Sequence, residues 1–409
     1  MARRLKKRFK LLLVFMIVIA LGFGVYCFYN KKDKEVIKED NKKVDKIKEK
    51  VEEPVVVEEP VEEPYMNVLN DGGIFKEYYG IAYNRMINMS LDEKIAQIFL
   101  VRVPLYDGIN ILEQNQFGGY LLFGRDVTNI TKDDLIAKLN KYQEVSKIPI
   151  IIAIDEEGGS ISRIKNNTNI VSEPFLSPMD LYNQGGMDLI ESDLRKKNSL
   201  LEELGINLNL APVVDVASEG AFIYNRTLGQ DVNTTSLFAE TVVRVSKESK
   251  VSYTLKHFPG YGNNVDTHKG LAIDNRTLDE LEGKDLIPFK RGIDAGAECI
   301  LVSHNIMTNI EDEIPASLSL KVHNILRNNL NYTGIIVTDD LYMDAIKVYQ
   351  DKPSIKALLA GNDLIIITDY LEGMNEIKEA INNNEIDIGL LDRAVLRVLA
   401  WKYYKGLIQ

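Results

Sequence analysis

The segment that decides the fold is Ile150-Ile151-Ile152-Ala153-Ile154-Asp155-Glu156-Glu157-Gly158. It begins with apolar, mostly β-branched residues, and acidic residues follow without a break. An unbroken apolar run is typical of a strand in a parallel sheet that is covered on both faces, because a strand with one exposed face alternates apolar and polar residues. The segment therefore predicts a buried parallel strand with a strongly charged carboxyl end.

Further apolar runs of the same kind occur along the chain, separated by longer segments of helical periodicity. The candidate strands are Ile98–Val103, Gly119–Phe123, Ile150–Asp155, Ile206–Leu210, Ser252–Lys256, Cys299–Ser303, Gly334–Thr338 and Leu364–Thr368. The helical patterns include Lys132–Val145, Leu189–Leu204, Thr234–Ser249, Leu320–Asn329, Tyr370–Asn382 and Ile388–Tyr404. Eight such units predict an α/β fold with a single (β/α)8, TIM-like barrel, although periodicity alone leaves an open doubly wound sheet as an alternative.

The composition excludes several classes of function. Residues 1–50 carry 15 lysines and arginines against 6 acidic residues, so residues 51–409 hold a formal charge of −20 within the total of −11. An acidic body is a poor partner for nucleic acid, whose binding needs clustered cations. The 2 cysteines and 4 histidines form no metal-binding motif, so we expect no metal and no cofactor. The sequence does not indicate an oligomeric state.

The N-terminus predicts a membrane anchor. Six cations in residues 1–10 precede an apolar run, Leu11–Tyr29, of 19 residues. This is long enough to cross a hydrocarbon core of about 30 Å as a helix. No A-x-A-like cleavage site is present, so residues 1–30 are expected to remain as a transmembrane helix. Nine lysines also follow in residues 31–50, but the denser first cluster predicts a cytoplasmic N-terminus and an extracellular body of a single-pass cell-membrane protein.

Residues 31–64 predict a solvated linker. They are rich in charge, poor in aromatic residues, and contain Val-Glu-Glu-Pro units at 51–54 and 61–64. Such a segment buries too little apolar surface to fold by itself. The linker would hold residues 65–409, one catalytic barrel with no second folded domain behind it, away from the membrane.

Polar residues stand at the carboxyl ends of several predicted strands. They are Asp155 to Glu157, Asp215, Lys256 with His257, Ser303 with His304, and Asp339 with Asp340. A single charged strand end is often a cap or an ion pair. Several that converge on one barrel mouth indicate a binding or catalytic site.

Another histidine belongs to a short motif with chemical meaning. Asp266 and His268 flank Thr267, so a loop could bring the carboxylate to one ring nitrogen and leave the other nitrogen free. An imidazole can give and take a proton near neutrality, since its ordinary pKa is about 6.5. Together with a carboxylate that attacks an anomeric carbon, such a pair would suit glycoside hydrolysis.

A series of motifs resembles those of the β-N-acetylglucosaminidases, or β-hexosaminidases, of glycoside hydrolase family 3. Lys256–Gly262 followed by Asp266–His268 is similar to the hallmark K-H-F-P-G-H-G…D-S-H, and Val337–Met343 is similar to the nucleophile segment T-D-D-L-x-M. The other matching segments, in chain order, are Ile154–Arg163, Asn209–Val216, Asn225–Gly229 and Pro315–Ser319. The resemblance covers residues 90–400, and its specificity comes from the shared order of the motifs.

The resemblance implies a retaining mechanism. Asp339 would form the glycosyl-enzyme intermediate, while His268, paired with Asp266, would act as acid and then as base. Five residues would bind the hydroxyls and the N-acetyl group of the sugar, namely Asp155, Arg163, Arg226, Lys256 and His257. The expected substrate is a terminal β-linked N-acetylhexosamine, such as a β-N-acetylglucosaminide or a peptidoglycan-derived sugar from cell-wall fragments.

Several residues keep an alternative assignment. Asp340 could be the nucleophile in place of Asp339, although the family pattern favours the first aspartate. Glu156 and Glu157 could cap the end of the strand or form an ion pair with Arg163. Asp215 and His304 are expected to support the site rather than to catalyse. His323, which lies in a helical pattern, is expected at the surface.

Departures from the family pattern leave other functions open. Tyr261 replaces the second histidine of the hallmark motif, Asn263 stands where an aspartate is frequent, and Ser160 replaces a common arginine. The first two departures bear on the loop that carries His268. The alternatives are a phosphorylase that forms sugar 1-phosphate, a β-glucosidase of the same fold, and a surface carbohydrate-binding protein without turnover.

Overall fold

The computed structural model describes residues 64–409. Their main feature is a sheet of eight parallel strands. In chain order these are β1 Phe99–Arg102, β2 Gly119–Leu122, β3 Ile151–Ile154, β4 Leu208–Asn209, β5 Ser252–Phe258, β6 Cys299–Val302, β7 Ile335–Thr338 and β8 Ile365–Ile367. Neighbours in sequence are neighbours in the sheet from β1 to β7, and β8 pairs with β1. A bridge between Val337 of β7 and Leu364 beside β8 nearly closes the predicted barrel.

Helices connect and surround these strands. The α-helices are Tyr79–Met86, Leu91–Gln97, Gly108–Asn115, Gly124–Val127, Lys132–Glu144, Pro178–Leu204, Val232–Ser246, Leu278–Glu282, Leu286–Asp294, Leu320–Asn324, Asp344–Lys347, Pro353–Ala360, Tyr370–Asn382 and Ile388–Tyr404. Short 3-10 helices cover Pro64–Asn67, Lys76–Tyr78, Tyr224–Arg226 and Ala316–Leu318, and a π-helix covers Ile325–Asn329. Two small ribbons pair Glu156–Gly158 with Ile161–Ser162 and Ile273–Asp274 with Ile306–Met307.

Strand β4 is shorter than its predicted range, Ile206–Leu210, and two asparagine side chains bond to the main chain of β3 and of the segment that follows it. Asn207 Oδ1 accepts a hydrogen bond of 2.9 Å from the main-chain N–H of Ile152. Asn209 Oδ1 accepts one of 2.9 Å from the N–H of Glu156. Both asparagines are buried, so their amides satisfy main-chain groups that water cannot reach.

The C-terminal helix lies at the amino ends of the strands. Trp401 is fully buried, and its indole N–H donates to Glu298 Oε2 over 3.1 Å and to Ser252 Oγ over 3.2 Å. Ser252 begins β5, and Glu298 immediately precedes β6. This end of the barrel is therefore closed by packing, which leaves the carboxyl ends of the strands for a site.

One local expectation was wrong. His323 is buried with 1% exposure, and its Nδ1 lies 2.8 Å from the main-chain oxygen of Ser319. The helical pattern indicated a turn of helix but not which face would be covered. Burial lowers the pKa of His323, so a neutral imidazole fills this part of the core.

The predicted anchor, Leu11–Tyr29, and the predicted linker up to residue 63 lie outside the described residues. Within residues 64–409, no helix combines the length and the apolar character needed to cross a membrane. The described body begins with the short helix Pro64–Asn67, at the end of the predicted linker.

Candidate active site

A cavity of about 170 Å³ opens at the carboxyl ends of the barrel strands. Most of the residues predicted from the sequence line it, namely Asp155, Arg163, Arg226, Lys256, His257, His268 and Asp339. The remaining predicted residue, Asp266, contacts His268 directly. Segments far apart in the chain therefore contribute to one small, charged pocket, as their positions at strand ends predicted.

Asp155, the last residue of the predicted strand Ile150–Asp155, is held between two cations. Arg163 Nη2 donates to it over 2.7 Å, and Lys256 Nζ donates over 2.8 Å. Burial would raise the pKa of Asp155, but the charges of Lys256 and Arg163 outweigh burial and hold this pKa well below its ordinary value. Asp155 is therefore a fixed hydrogen-bond acceptor at the cavity wall.

Glu157 has a larger part in the site than the sequence indicated. Its Oε1 lies 2.7 Å from Lys256 Nζ, and it accepts two hydrogen bonds from Arg226, of 2.7 and 3.0 Å. Pairing with Arg163, one of the alternatives left open for Glu157, is not observed, because Arg163 pairs with Asp155. Burial would raise the pKa of Glu157, but Lys256 and Arg226 lower it further than burial raises it. Glu157 thus orients both cations toward the cavity.

His257 is oriented by Asp215, as expected for a supporting carboxylate. Its Nδ1 lies 2.8 Å from Asp215 Oδ2, and its Nε2 lies 3.3 Å from Arg226 Nη2. A guanidinium has no acceptor, so Nε2 accepts in that contact and Nδ1 carries the hydrogen that is donated to Asp215. The pair with Asp215 fixes the plane of the ring at the cavity wall.

Asp339 lies just beyond β7, anchored to its neighbours. Its main-chain N–H donates to the oxygen of Val302 on β6 over 3.0 Å, and the N–H of Asp340 donates to Asp339 Oδ1 over 2.8 Å. Burial would raise the pKa of Asp339, but the positive charges of His304 and His257 at the acid pH where a carboxyl group titrates, together with the hydrogen bond from the N–H of Asp340, hold this pKa below its ordinary value. The side chain is therefore an ionised carboxylate at neutral pH.

Asp340 is tied into a different contact. Its Oδ2 accepts from Arg102 Nε, and its Oδ1 accepts from the N–H of Tyr342 over 2.9 Å. The guanidinium of Arg102 also packs over the ring of Phe123, 4.6 Å from its centroid. Burial raises the pKa of Asp340 against the effect of Arg102. This ion pair shapes the cavity wall and leaves Asp339 as the freer carboxylate.

His304 is buried and contacts the main chain next to Asp339. Its Nε2 donates to the main-chain oxygen of Asp340 over 3.0 Å, so its Nδ1 accepts from Ser317 Oγ at 2.7 Å. Burial lowers the pKa of His304, which favours the neutral ring. His304 therefore holds the main chain next to Asp339, in agreement with its expected supporting role.

Asp266 and His268 form a pair at the open side of the cavity. Asp266 Oδ1 lies 2.8 Å from His268 Nδ1 and accepts from the main-chain N–H of His268 over 3.0 Å. The His268 side chain is 62% exposed, and its ring lines the cavity. The contact with Asp266 leaves Nε2 available to a ligand. Within residues 64–409, no cluster of three or more potential ligands could hold a metal ion.

Arg102 was missed by the sequence analysis. It is the last residue of β1, so its position at a strand end was visible, but its partner Asp340 is 238 residues away. A lone basic strand end gave no indication of that partner. The barrel brings the two together because β1 and β7 both flank β8.

The fold and the cavity define an enzyme-type (β/α)8 barrel with a compact, highly charged site at the carboxyl ends of its strands. Residues 90–401 match the glycosyl hydrolase family 3 N terminal domain. The chain therefore belongs to glycoside hydrolase family 3 and is a glycoside hydrolase.

Curated relatives and solved structures agree with this assignment. A "Beta-hexosaminidase" from Stenotrophomonas maltophilia is 31% identical over 297 residues, which cover 70% of this chain and 87% of the relative. A "Beta-hexosaminidase" from Xylella fastidiosa is 29% identical over 299 residues, 70% of this chain and 88% of the relative. A family 3 β-N-acetylglucosaminidase structure from a Paenibacillus species has a TM-score of 0.72 and 26% identity, covering 78% of this chain but only 63% of the other. The structure of LpqI from M. tuberculosis has a TM-score of 0.71 and 26% identity, covering 78% of this chain and 95% of the other.

Proposed function

We propose that the chain is a retaining exo-β-N-acetylhexosaminidase that removes a terminal β-linked N-acetylhexosamine, with Asp339 as nucleophile. One observation carries the proposal: an ionised Asp339 and the histidine of an Asp266–His268 pair line the same small cavity. The two groups have the two chemistries that the reaction needs, because a carboxylate can attack as a nucleophile and an imidazole can donate and accept a proton.

The proposed reaction has two displacements. In the first, a carboxylate oxygen of Asp339 attacks the anomeric carbon, the bond from that carbon to the leaving oxygen breaks, and His268 Nε2 transfers its proton to that oxygen. In the second, a water attacks the same carbon, the bond to Asp339 breaks, and Nε2 takes up the proton of the water. Two inversions at one carbon retain the β configuration. Asp266 accepts from Nδ1 throughout and stabilises the charged imidazolium.

The remaining charged residues suit sugar binding. Asp155 would accept from hydroxyl groups, while Arg163, Arg226 and Lys256 would donate to hydroxyl and carbonyl oxygens. The cavity of about 170 Å³ is smaller than the roughly 300–1,000 Å³ of sites for drug-sized ligands. This size favours one terminal sugar unit, hence the exo mode.

The choice of sugar rests on the relatives, which carry the names β-hexosaminidase and β-N-acetylglucosaminidase. For the natural substrate, we propose N-acetylglucosaminides from cell-wall fragments. The reason is the expected placement of the body outside the membrane, where such material is found.

Assays with aryl glycosides test the proposed function. We expect kcat/KM for an aryl β-N-acetylglucosaminide to exceed that for the matching β-glucoside by at least about 100-fold, because a site built to bind a polar substituent rejects a ligand that lacks it. Free N-acetylglucosamine should form at the same rate with and without inorganic phosphate. A preference for the glucoside, formation of sugar 1-phosphate, or binding without turnover would each contradict the proposal in favour of a different function.

The cellular placement is a separate proposal that rests on the sequence of residues 1–50, with its cations before Leu11–Tyr29. We expect protease added to intact cells to remove residues 65–409 from the cell surface. A body that is cleaved only after the cells are opened would refute an extracellular catalytic domain. The aryl-glycoside assays do not depend on this outcome.

A further inference from the structure

Tyr261 connects two parts of the candidate site. It is 2% exposed and lines the cavity beside His257, with 5.5 Å between the two ring centroids. Its main-chain N–H donates to Asp215 Oδ1 over 2.6 Å, while Asp215 Oδ2 contacts His257 Nδ1. One buried carboxylate thus fixes both the sugar-side histidine and the main chain of Tyr261.

The hydroxyl of Tyr261 reaches the loop that carries the Asp266–His268 pair. It donates to the main-chain oxygen of Val265 over 2.9 Å and accepts from the N–H of Thr267 over 3.1 Å. Thr267 Oγ1 lies 3.2 Å away and is placed to donate as well. A phenol has one donor and two acceptor positions, so these contacts use its full capacity.

These contacts lie on both sides of Asp266. The pairing of Asp266 with His268 orients the imidazole relative to the loop, but it does not fix the loop relative to the barrel. Because the His268 side chain is 62% exposed, packing gives it little support. Asn264 also anchors the loop, since its Nδ2 donates to Asp274 Oδ2 over 2.7 Å, but that contact lies on the other side of Val265.

We propose that Tyr261 is a positioning residue for proton transfer, whose hydroxyl holds the Val265–Thr267 turn so that His268 faces a sugar bound beside His257. This inference rests on the proposed function, which assigns the acid/base role to His268. Small displacements of a catalytic group lower rates steeply, so the phenol acts on catalysis without touching the substrate bond that breaks.

Tyr261→Phe removes the hydroxyl and keeps the ring. We expect kcat/KM for a phenyl β-N-acetylglucosaminide, whose leaving group needs a proton, to fall by about 10- to 100-fold. For the 2,4-dinitrophenyl glycoside, which departs without protonation, kcat/KM should change by less than about threefold. kcat/KM reports the first bond cleavage. The ratio of kcat/KM for the phenyl glycoside to kcat/KM for the dinitrophenyl glycoside therefore isolates acid catalysis. Partial unfolding would lower both values equally and leave this ratio unchanged.

Two further variants serve as controls for Tyr261→Phe. Tyr332→Phe removes another buried phenol, which donates to the oxygen of Ile335 over 3.0 Å, and should leave the ratio at its wild-type value. Thr267→Val removes one partner of the Tyr261 hydroxyl and should shift the ratio in the same direction by a smaller factor. Equal losses on both substrates in Tyr261→Phe, or a ratio shift of the same size in Tyr332→Phe, would overturn the inference.

A double-mutant cycle separates the inference from the proposed function. If Tyr261 acts through His268, Tyr261→Phe should cost less than about twofold in a His268→Ala background. Additive losses would contradict the positioning role while leaving the acid/base role of His268 intact. Full activity of His268→Ala on the phenyl substrate would instead refute the proposed function.

Discussion

Replacing Asp339 with glycine is expected to lower kcat for an aryl β-N-acetylglucosaminide by at least about 1,000-fold, because the covalent pathway loses its nucleophile. Asp339 suits this role because its pKa lies below its ordinary value, so the attacking group is already ionised at neutral pH. Steady-state rates with purified protein measure the loss. Activity within tenfold of wild type would exclude Asp339 as nucleophile.

Added azide distinguishes a lost nucleophile from general damage to the site. In Asp339→Gly, azide can occupy the space of the missing carboxylate and attack the anomeric carbon from the same face, which yields the α-glycosyl azide. Asp340→Ala is the matched control, since Asp340 is engaged with Arg102 and Tyr342. It should lower activity by disturbing the cavity wall but form no α-azide. An α-azide from Asp340→Ala alone would reverse the two assignments.

Lys256→Met is expected to have the largest effect on stability among the residues that line the cavity. The Lys256 ammonium is 3% exposed and lies 2.8 Å from Asp155 and 2.7 Å from Glu157. Removing one partner of a buried charge cluster typically costs about 3–5 kcal/mol, because the remaining charges stay buried with less compensation. We expect a loss of this size in urea unfolding at pH 7, together with a raised KM.

The pH dependence of this loss follows from the carboxylates. With Lys256 present, Asp155 and Glu157 have lowered pKa values, so the stability they contribute is complete above their unfolded values of roughly 4 and is lost as pH falls through the folded values. In Lys256→Met both folded pKa values rise, and protonation relieves the unpaired charge. The difference in free energy of unfolding between the wild type and Lys256→Met should therefore shrink as pH falls from 7 toward about 4. A difference that stays constant over this range would contradict this explanation.

Lys402→Met is the matched control, because Lys402 is a buried lysine that has no anionic partner among residues 64–409. Lys402 is fully buried, its Nζ donates to the amide oxygen of Gln97 over 2.9 Å, and burial lowers its pKa to about 7. Its charge opposes folding, since the folded state releases a proton that the unfolded state keeps. Replacement by methionine should therefore cost much less stability at pH 7 than Lys256→Met, and an equal cost would show that loss of a buried amine alone explains both.

The strands were predictable because their physical requirement is local. A strand covered on both faces must be apolar throughout, and Ile151–Ile154 satisfies this within a few residues. Tyr370–Asn382 and Ile388–Tyr404 were likewise predicted with their observed bounds, since a partly exposed helix has a clear period. Positions at strand ends then placed Asp155 and Asp339 at one mouth.

The pairings within the site were not predictable in the same way. Glu157 could pair with nearby Arg163 or with distant Arg226, and only the three-dimensional arrangement decides between them. Arg102 gave no indication of its partner for the same reason. Tyr261 was visible as a departure from a family motif, but its contacts with Val265 and Thr267 depend on the course of a loop that has no periodic pattern.

In the proposed mechanism, Asp339 becomes covalently attached to the sugar during turnover. A 5-fluoro-N-acetylglucosaminyl fluoride carries a reactive leaving group but slows the second displacement, so it should accumulate the intermediate on the wild-type protein. Proteolysis and mass spectrometry then locate the label. We expect one sugar per chain, attached to Asp339. A label on Asp340 or another residue, or turnover of this reagent without any labelled peptide, would exclude Asp339 as the nucleophile.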